Sequence, residues 1–315
     1  MKIGIVGSGA MGSVYGALLA DAGNELWMLD RWQEHVEAMR AKGLRCQGAS
    51  GDRTVAVRAT TNAAEAGPCE LVIVATKVMD IEDAMRAAAP MIGPDSLVLA
   101  IQNGLGNVER IQKVVSADNL LFGNAGGFGA EILAPGHVHH NGMEAVNLAE
   151  LSGGISARLE QVGAAWRQAG FTVDLYDDLW PGVWSKLVAN VAFSAICTVT
   201  GMRVGQVCAN DEAWEIARAC VEEAVAVAGA KGIRLVYDDP VRWVRDFAGK
   251  IPNARPSMYQ DVRAGRRSEI DSIHGGVVAE GAGLGIPTPT CALMVQLVKA
   301  LEAKARAHGD AYKAL

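Results

Sequence analysis

The chain has 315 residues, long enough for two domains, because single cores stop growing at about 250–300 residues. Half of the residues are hydrophobic and 20% are charged, an ordinary globular balance that excludes a low-complexity or disordered chain. The formal net charge of −6 argues against a nucleic-acid partner, which would demand clustered Lys and Arg.

Lys2–Val6 (KIGIV) is a short apolar run, followed at once by Gly7-Ser8-Gly9-Ala10-Met11-Gly12 and a helix-like stretch over residues 13–22 that ends at Gly23. No charged residue occurs across positions 3–20, which approaches the length of a membrane span. Five glycines interrupt that run, and each costs a helix about 1 kcal/mol relative to Ala, so neither a signal peptide nor a membrane segment is expected. G-x-G-x-x-G between a strand and a helix is the context of a dinucleotide site. Gly7 permits the tight turn, Gly9 lets the backbone approach a pyrophosphate, and Gly12 lets helix and strand pack closely. Ser8, Ala10 and Met11 complete the loop, and the helix N-terminus offers N–H groups and positive dipole to the phosphates. The next strand, Glu25–Leu29, ends at Asp30-Arg31, where a carboxylate is the expected partner of the adenosine ribose hydroxyls.

Strand and helix signals then alternate: a strand over 71–76, a helix over Ile81–Ala88, a strand over 97–102 and a helix over 108–115. The pattern predicts an α/β Rossmann domain with a doubly wound parallel sheet. Ligands of such sheets bind at the carboxyl ends of the strands, which puts Lys77 and Asn103 beside the cofactor. Over positions 120–151, shorter strands with glycine-rich turns predict an antiparallel extension. It contains His137, His139 and His140; His137 and His139 share a face, but no Cys or acidic partner recurs at ligand spacing, so no metal is expected and a solvent-facing strand is the simpler reading. The six cysteines show no C-x-x-C spacing, and free thiols in a reducing cytoplasm are expected.

After Asp177-Asp178 helical patterns take over. Domains are expected at residues 1–178, binding dinucleotide, and 179–315, an all-helical substrate-binding and dimerisation domain. The helix beginning near 179 is apolar except for Lys186, Asn190 and Ser194, which at spacings of four form one slowly drifting stripe. A polar stripe on a buried helix lines a site or lets a lysine snorkel to water, and the apolarity of the other faces favours a site. The patterns over 211–231 and 290–304 carry more apolar surface than one compact bundle buries, which points to a homodimer.

The glycine loop, Ile101-Gln102-Asn103-Gly104-Leu105-Gly106, Trp184-Ser185-Lys186-Leu187 with Asn190, and Ser257-Met258-Tyr259-Gln260-Asp261 followed by Arg263, Glu269, Ile270 and Asp271 together resemble the ketopantoate (2-dehydropantoate 2-) reductases, in the same order and with similar spacing. The resemblance implies NAD(P)H-dependent reduction of a 2-oxo acid to a 2-hydroxy acid. Lys186 would be the general acid, and Glu269 would sit near the nicotinamide ribose. Asn103 would touch cofactor and substrate; Asn190, Ser194 and Ser257 would hold the substrate; Lys77 and the Gly129 region would line the cofactor. Ser194 and Val204 stand where the family has asparagines, which puts ketopantoate itself in doubt and suggests a less polar 2-oxo acid. Asp30 favours NADH, whereas Arg31 stands where NADP-using members carry the arginine that pairs with the 2′-phosphate. A related 2-hydroxyacid dehydrogenase working in the oxidative direction is the alternative, and a non-catalytic redox sensor a remote one, since a sensor has no chemical reason to keep Lys186, Asn190 and Glu269 together.

Overall fold

The computed structural model describes residues 1–127, 129–142 and 145–308. They divide into two compact units: residues 1–102 with 107–179, and Asn103–Gly106 with the chain from Trp180 onward.

The first unit begins β1 (Lys2–Val6), α1 (Ala10–Asp21), β2 (Glu25–Leu29) and α2 (Gln33–Lys42). Three short strands follow, β3 (Leu44–Gly48), β4 (Arg53–Val55) and β5 (Arg58–Thr60). Then come β6 (Leu71–Val74), α3 (Ile81–Ala88), β7 (Leu97–Ala100) and α4 (Asn107–Ile111). β8 (Leu120–Ala125), β9 (Gly129–Ala134), β10 (His137–Gly142), β11 (Ala145–Glu150), α5 (Ala157–Gln168) and β12 (Thr172–Tyr176) complete it. The main sheet has eight strands in the order β12-β11-β8-β7-β6-β1-β2-β5, parallel from β8 through to β5. Every residue of β6 and β7 is buried, as their unbroken Leu/Val/Ile runs require of strands covered on both faces. Strand order reverses between β1 and β6, the switch point at which such sheets take ligands.

The expected antiparallel extension divides between two sheets. β8 joins the main sheet parallel to β7, and β11 turns antiparallel on β8, with β12 parallel to β11. β9 and β10 instead form a hairpin in a four-stranded sheet, β4-β3-β10-β9. Its β10 is not simply solvent-facing: Val138 and His140 point inward and are fully buried, with His140 Nδ1 3.1 Å from Ser50 Oγ. His137 and His139 are half-buried, and His137 pairs with Gln47. Among the described residues no group of three or more His, Cys, Asp or Glu is placed to hold a metal.

The second unit is helical: α6 (Trp180–Thr200), α7 (Val204–Ala209), α8 (Asp211–Ala230), α9 (Pro240–Lys250), α10 (Ser257–Arg263), α11 (His274–Leu284) and α12 (Pro289–His308). α6 is the one helix among the described residues long and apolar enough to cross a membrane. Here it is the core element: Trp184, Leu187, Val188 and Val191 are at most 2% exposed and pack against residues of α8, α10 and α12. Leu105, from the four-residue segment, joins the same core.

Candidate active site

The glycine loop is fitted to a dinucleotide. Gly7 takes φ +92, a conformation glycine adopts without strain, and a Cβ there would lie 2.6 Å from Thr76 Cγ2, where β1 and β6 end side by side. A Cβ on Gly12 would lie 2.1 Å from the Gly7 carbonyl oxygen, so α1 crosses its own strand at a separation only glycine permits. Gly9 is different: a Cβ there would meet nothing within 4 Å. Its bare backbone faces open space, as needed for a pyrophosphate to come close. No side chain caps α1 and no acid occupies its first turn, so the helix N-terminus remains available to an anion.

Asp30 follows β2, and its main-chain N–H is fixed on Thr60. One carboxylate oxygen accepts the Ser8 N–H at 2.7 Å and the Ser8 hydroxyl at 3.1 Å, and the other accepts the Trp32 N–H at 3.0 Å. The carboxylate is aimed by its neighbours and keeps lone pairs for further donors. The side chain of Arg31 is 88% exposed and 3.9 Å from Asp80, a contact that restrains it little. Lys77 lies just past β6, at the start of a short 3-10 turn, and Gly129 opens β9, in the small sheet that packs on α1.

The second unit gathers the other candidates. Lys186, Asn190 and Ser194 lie along α6 as their spacing dictates; the first two are half-buried and Ser194 is 5% exposed. Two influences oppose each other at the Lys186 ammonium. Enclosure by protein is the larger and pushes its pKa down, the negative charge of Glu269 pushes it up, and the balance is a pKa of about 8. Some of the residue's surface stays open, yet the surroundings of the ammonium dominate. Glu269 also accepts a long hydrogen bond from Asn103 Nδ2 at 3.4 Å. Asn103 is held there because Leu105 N–H donates to the Ser272 carbonyl at 2.8 Å. Gly104, at φ +81, lies so close to Ser272 that a Cβ would come within 2.4 Å of the same oxygen.

Within the Ser257–Asp271 block only some residues present polar groups to a ligand. Met258 and Ile270 are core, Asp261 accepts from Arg266, and Asp271 pairs with Lys299 at 2.5 Å. Ser257 is exposed at the start of α10. The preceding loop is fixed to the end of α6 by Arg255, which donates to the Gly201 carbonyl at 2.9 Å and stacks over Tyr259. Val204 packs in the helical core, 2% exposed. Sequence reasoning missed a strap behind Lys186: Tyr237 donates to the Ser185 carbonyl at 2.6 Å, and the Val236 N–H donates to the Ser185 hydroxyl. It also missed His35, buried beneath Asp30, because one histidine in an amphipathic helix gives no pattern to read.

A switch-point loop fitted to a dinucleotide and an enclosed lysine beside a carboxylate define a nicotinamide-dependent oxidoreductase. The model for the ketopantoate reductase PanE/ApbA family matches residues 3–153, and its C-terminal model matches residues 178–302. The chain belongs to the ketopantoate reductase family, NAD(P)-dependent oxidoreductases acting on CH–OH groups. It is 30% identical over 301 residues to the 2-dehydropantoate 2-reductase of Archaeoglobus fulgidus, covering 96% of this chain and 98% of that one. A PanE/ApbA family ketopantoate reductase from Ralstonia eutropha JMP134 shares 32% identity at TM-score 0.89, over 96% of this chain and 99% of its own. A D-mandelate dehydrogenase solved with NADH and anilino(oxo)acetate shares 28% identity at TM-score 0.89, with the same coverage.

Proposed function

We propose that the protein reduces a 2-oxo acid to a 2-hydroxy acid with NADH or NADPH, Lys186 supplying the proton. The observation that carries the reading is the Lys186 ammonium, enclosed yet held near pKa 8 by Glu269. Such a group is charged at neutral pH and still gives up its proton readily, as a general acid must. A nicotinamide held beside it would supply the hydride for the carbonyl carbon. As the C=O π pair moves onto oxygen, Lys186 stabilises the growing negative charge and transfers its Nζ proton to it, leaving a neutral amine that solvent recharges. Asn190, Ser194 and Ser257 hydrogen-bond the substrate, Asn103 serves both ligands, and Glu269 orders the nicotinamide ribose end. Gly7 to Gly12, Asp30, Arg31, Lys77 and the Gly129 region bind the dinucleotide.

Ser194 offers one hydroxyl where the family carries an amide, and Val204 presents no polar group. These departures favour a 2-oxo acid less polar than ketopantoate. The D-mandelate dehydrogenase relative, bound to an oxo acid with an aromatic substituent, supports that substrate class and also supports oxidation of a 2-hydroxy acid as a second reading. Asp30 favours NADH, because a like-charge contact with a 2′-phosphate costs on the order of 1 kcal/mol even when well solvated; NADPH remains usable through Arg31. A cytoplasmic homodimer built through the helical unit completes the reading. A panel of 2-oxo acids, followed by loss of nicotinamide absorbance with each cofactor, tests it. Turnover of an aryl or branched 2-oxo acid at a higher kcat/KM than ketopantoate is expected, and absence of turnover with every member would overturn it.

A further inference from the structure

A buried polar network lies under Asp30 and reaches a residue with no assigned role. His35, in the first turn of α2, is fully buried, as are Ser8 and Ser13. The Gly136 N–H, in the turn between β9 and β10, points at His35 Nδ1 at 2.9 Å, so Nδ1 must be an unprotonated acceptor. The ring proton therefore sits on Nε2, which faces Ser13 Oγ at 3.3 Å. Ser13 in turn donates to the Ser8 carbonyl at 2.8 Å, and Ser8 donates twice to the Asp30 carboxylate. A second arm closes the loop. Trp32 stacks on the His35 ring, centroids 4.8 Å apart and planes 7° from parallel, and its N–H holds the other Asp30 oxygen. Both arms that aim Asp30 thus rest on one imidazole.

We propose that His35 is a positioning residue of the dinucleotide site: as the neutral Nε2–H tautomer it holds Ser8 and Trp32 so that Asp30 faces the adenosine ribose, and so enforces preference for NADH over NADPH. The inference rests on the reading of Asp30 given above. Burial pushes the imidazole below the usual histidine range, outweighing the Asp30 carboxylate, the one charged group acting on the ring among the described residues, and the Ser8 main chain. His35 is therefore neutral at physiological pH. Protonation would turn Nδ1 into a donor against the Gly136 N–H and break the network.

Dissociation constants for NADH and NADPH, measured on the whole chain by fluorescence titration, test this. His35→Phe keeps a ring under Trp32 but leaves the buried Gly136 N–H without its acceptor. NADH binding should weaken by about tenfold, the scale of one charge-assisted hydrogen bond from a misaimed Asp30, while NADPH binding, which gains less from Asp30, changes by less than about threefold. His35→Asn, which restores an acceptor toward Gly136, should recover part of the NADH affinity. Equal losses for both cofactors, or none, would overturn the proposal. The unmodified protein gives a test that needs no variant: because burial holds the imidazole below its ordinary value of 6.5, NADH affinity should stay level through neutral pH and fall only below that value, and a fall already above it would count against a neutral His35. Asp30→Ala separates the two layers. If it leaves the cofactor ratio unchanged, the reading of Asp30 fails; if it shifts the ratio and the His35 variants do not, only the His35 inference fails.

Discussion

The glycine loop and the lysine helix are built from opposite materials. At the loop the chain removes side chains: Gly9 faces open space, Gly12 lies against the Gly7 carbonyl, and the polar groups left on offer are main-chain N–H groups and one aimed carboxylate. On α6 the chain does the reverse, placing a cation among apolar residues and tuning it with a carboxylate brought from beyond α10. Backbone recognition can be written into six consecutive residues. Tuning a pKa requires burial, which only a whole folded unit supplies.

The sharpest way to break this contrast is Lys186→Ala. General-acid catalysis contributes about 10²–10⁴-fold, so kcat in stopped-flow or steady-state assays should fall by that order while NADH affinity holds. Near-normal turnover would remove Lys186 from the mechanism. The pH profile sharpens the point, since reduction needs the protonated amine. With a pKa of about 8, kcat for reduction should be level below that value and decline above it, and oxidation should rise over the same interval.

Two alanine substitutions separate the loop's two uses of glycine. Gly12→Ala should destabilise by about 1–3 kcal/mol, read as a lowered Tm, because its Cβ would meet main chain that cannot yield. Gly9→Ala has no protein atom to strike, so Tm should stay put while dinucleotide binding weakens. Equal Tm losses in both would mean that Gly9 serves packing instead of ligand approach. Asp30→Ala should move the kcat/KM ratio toward NADPH by about tenfold, the value of one charge-assisted hydrogen bond gained and lost. An unmodified preference for NADPH of tenfold or more would show instead that Arg31 prevails. The smallest effect is expected at Ser194→Asn. Restoring an amide on the lysine stripe should raise kcat/KM for polar 2-oxo acids a few-fold relative to apolar ones, and an unchanged ratio would detach Ser194 from specificity.

Legibility followed the same divide. Strand, glycine loop, helix and acid at the end of β2 are local signals, and α6 announced itself by its apolarity. The main-sheet partners did not. β8 and β11 extend the main sheet, while β9 and β10 build a second one with β3 and β4. That choice is made by pairing with distant strands, which periodicity does not encode. β3, β4 and β5 read LRCQG, RTV and RAT, with polar or charged residues breaking any apolar run, so no strand signal stands out. The contact between Asn103 and Glu269 joins positions 166 residues apart. The sequence placed Asn103 and, by family resemblance, Glu269 each at the cofactor without joining them, and no spacing rule predicts His35 beneath Asp30.

Asn103–Gly106 lies in chain order within the Rossmann-like half but folds with the helices. The halves are therefore not exchangeable cassettes. A chimera joined near residue 179 would pair one parent's Asn103 and Leu105 with the other parent's Glu269 and Ser272, mixing two lineages inside a single hydrogen-bonded contact. Any exchange of helical halves between relatives has to move this four-residue island along with them.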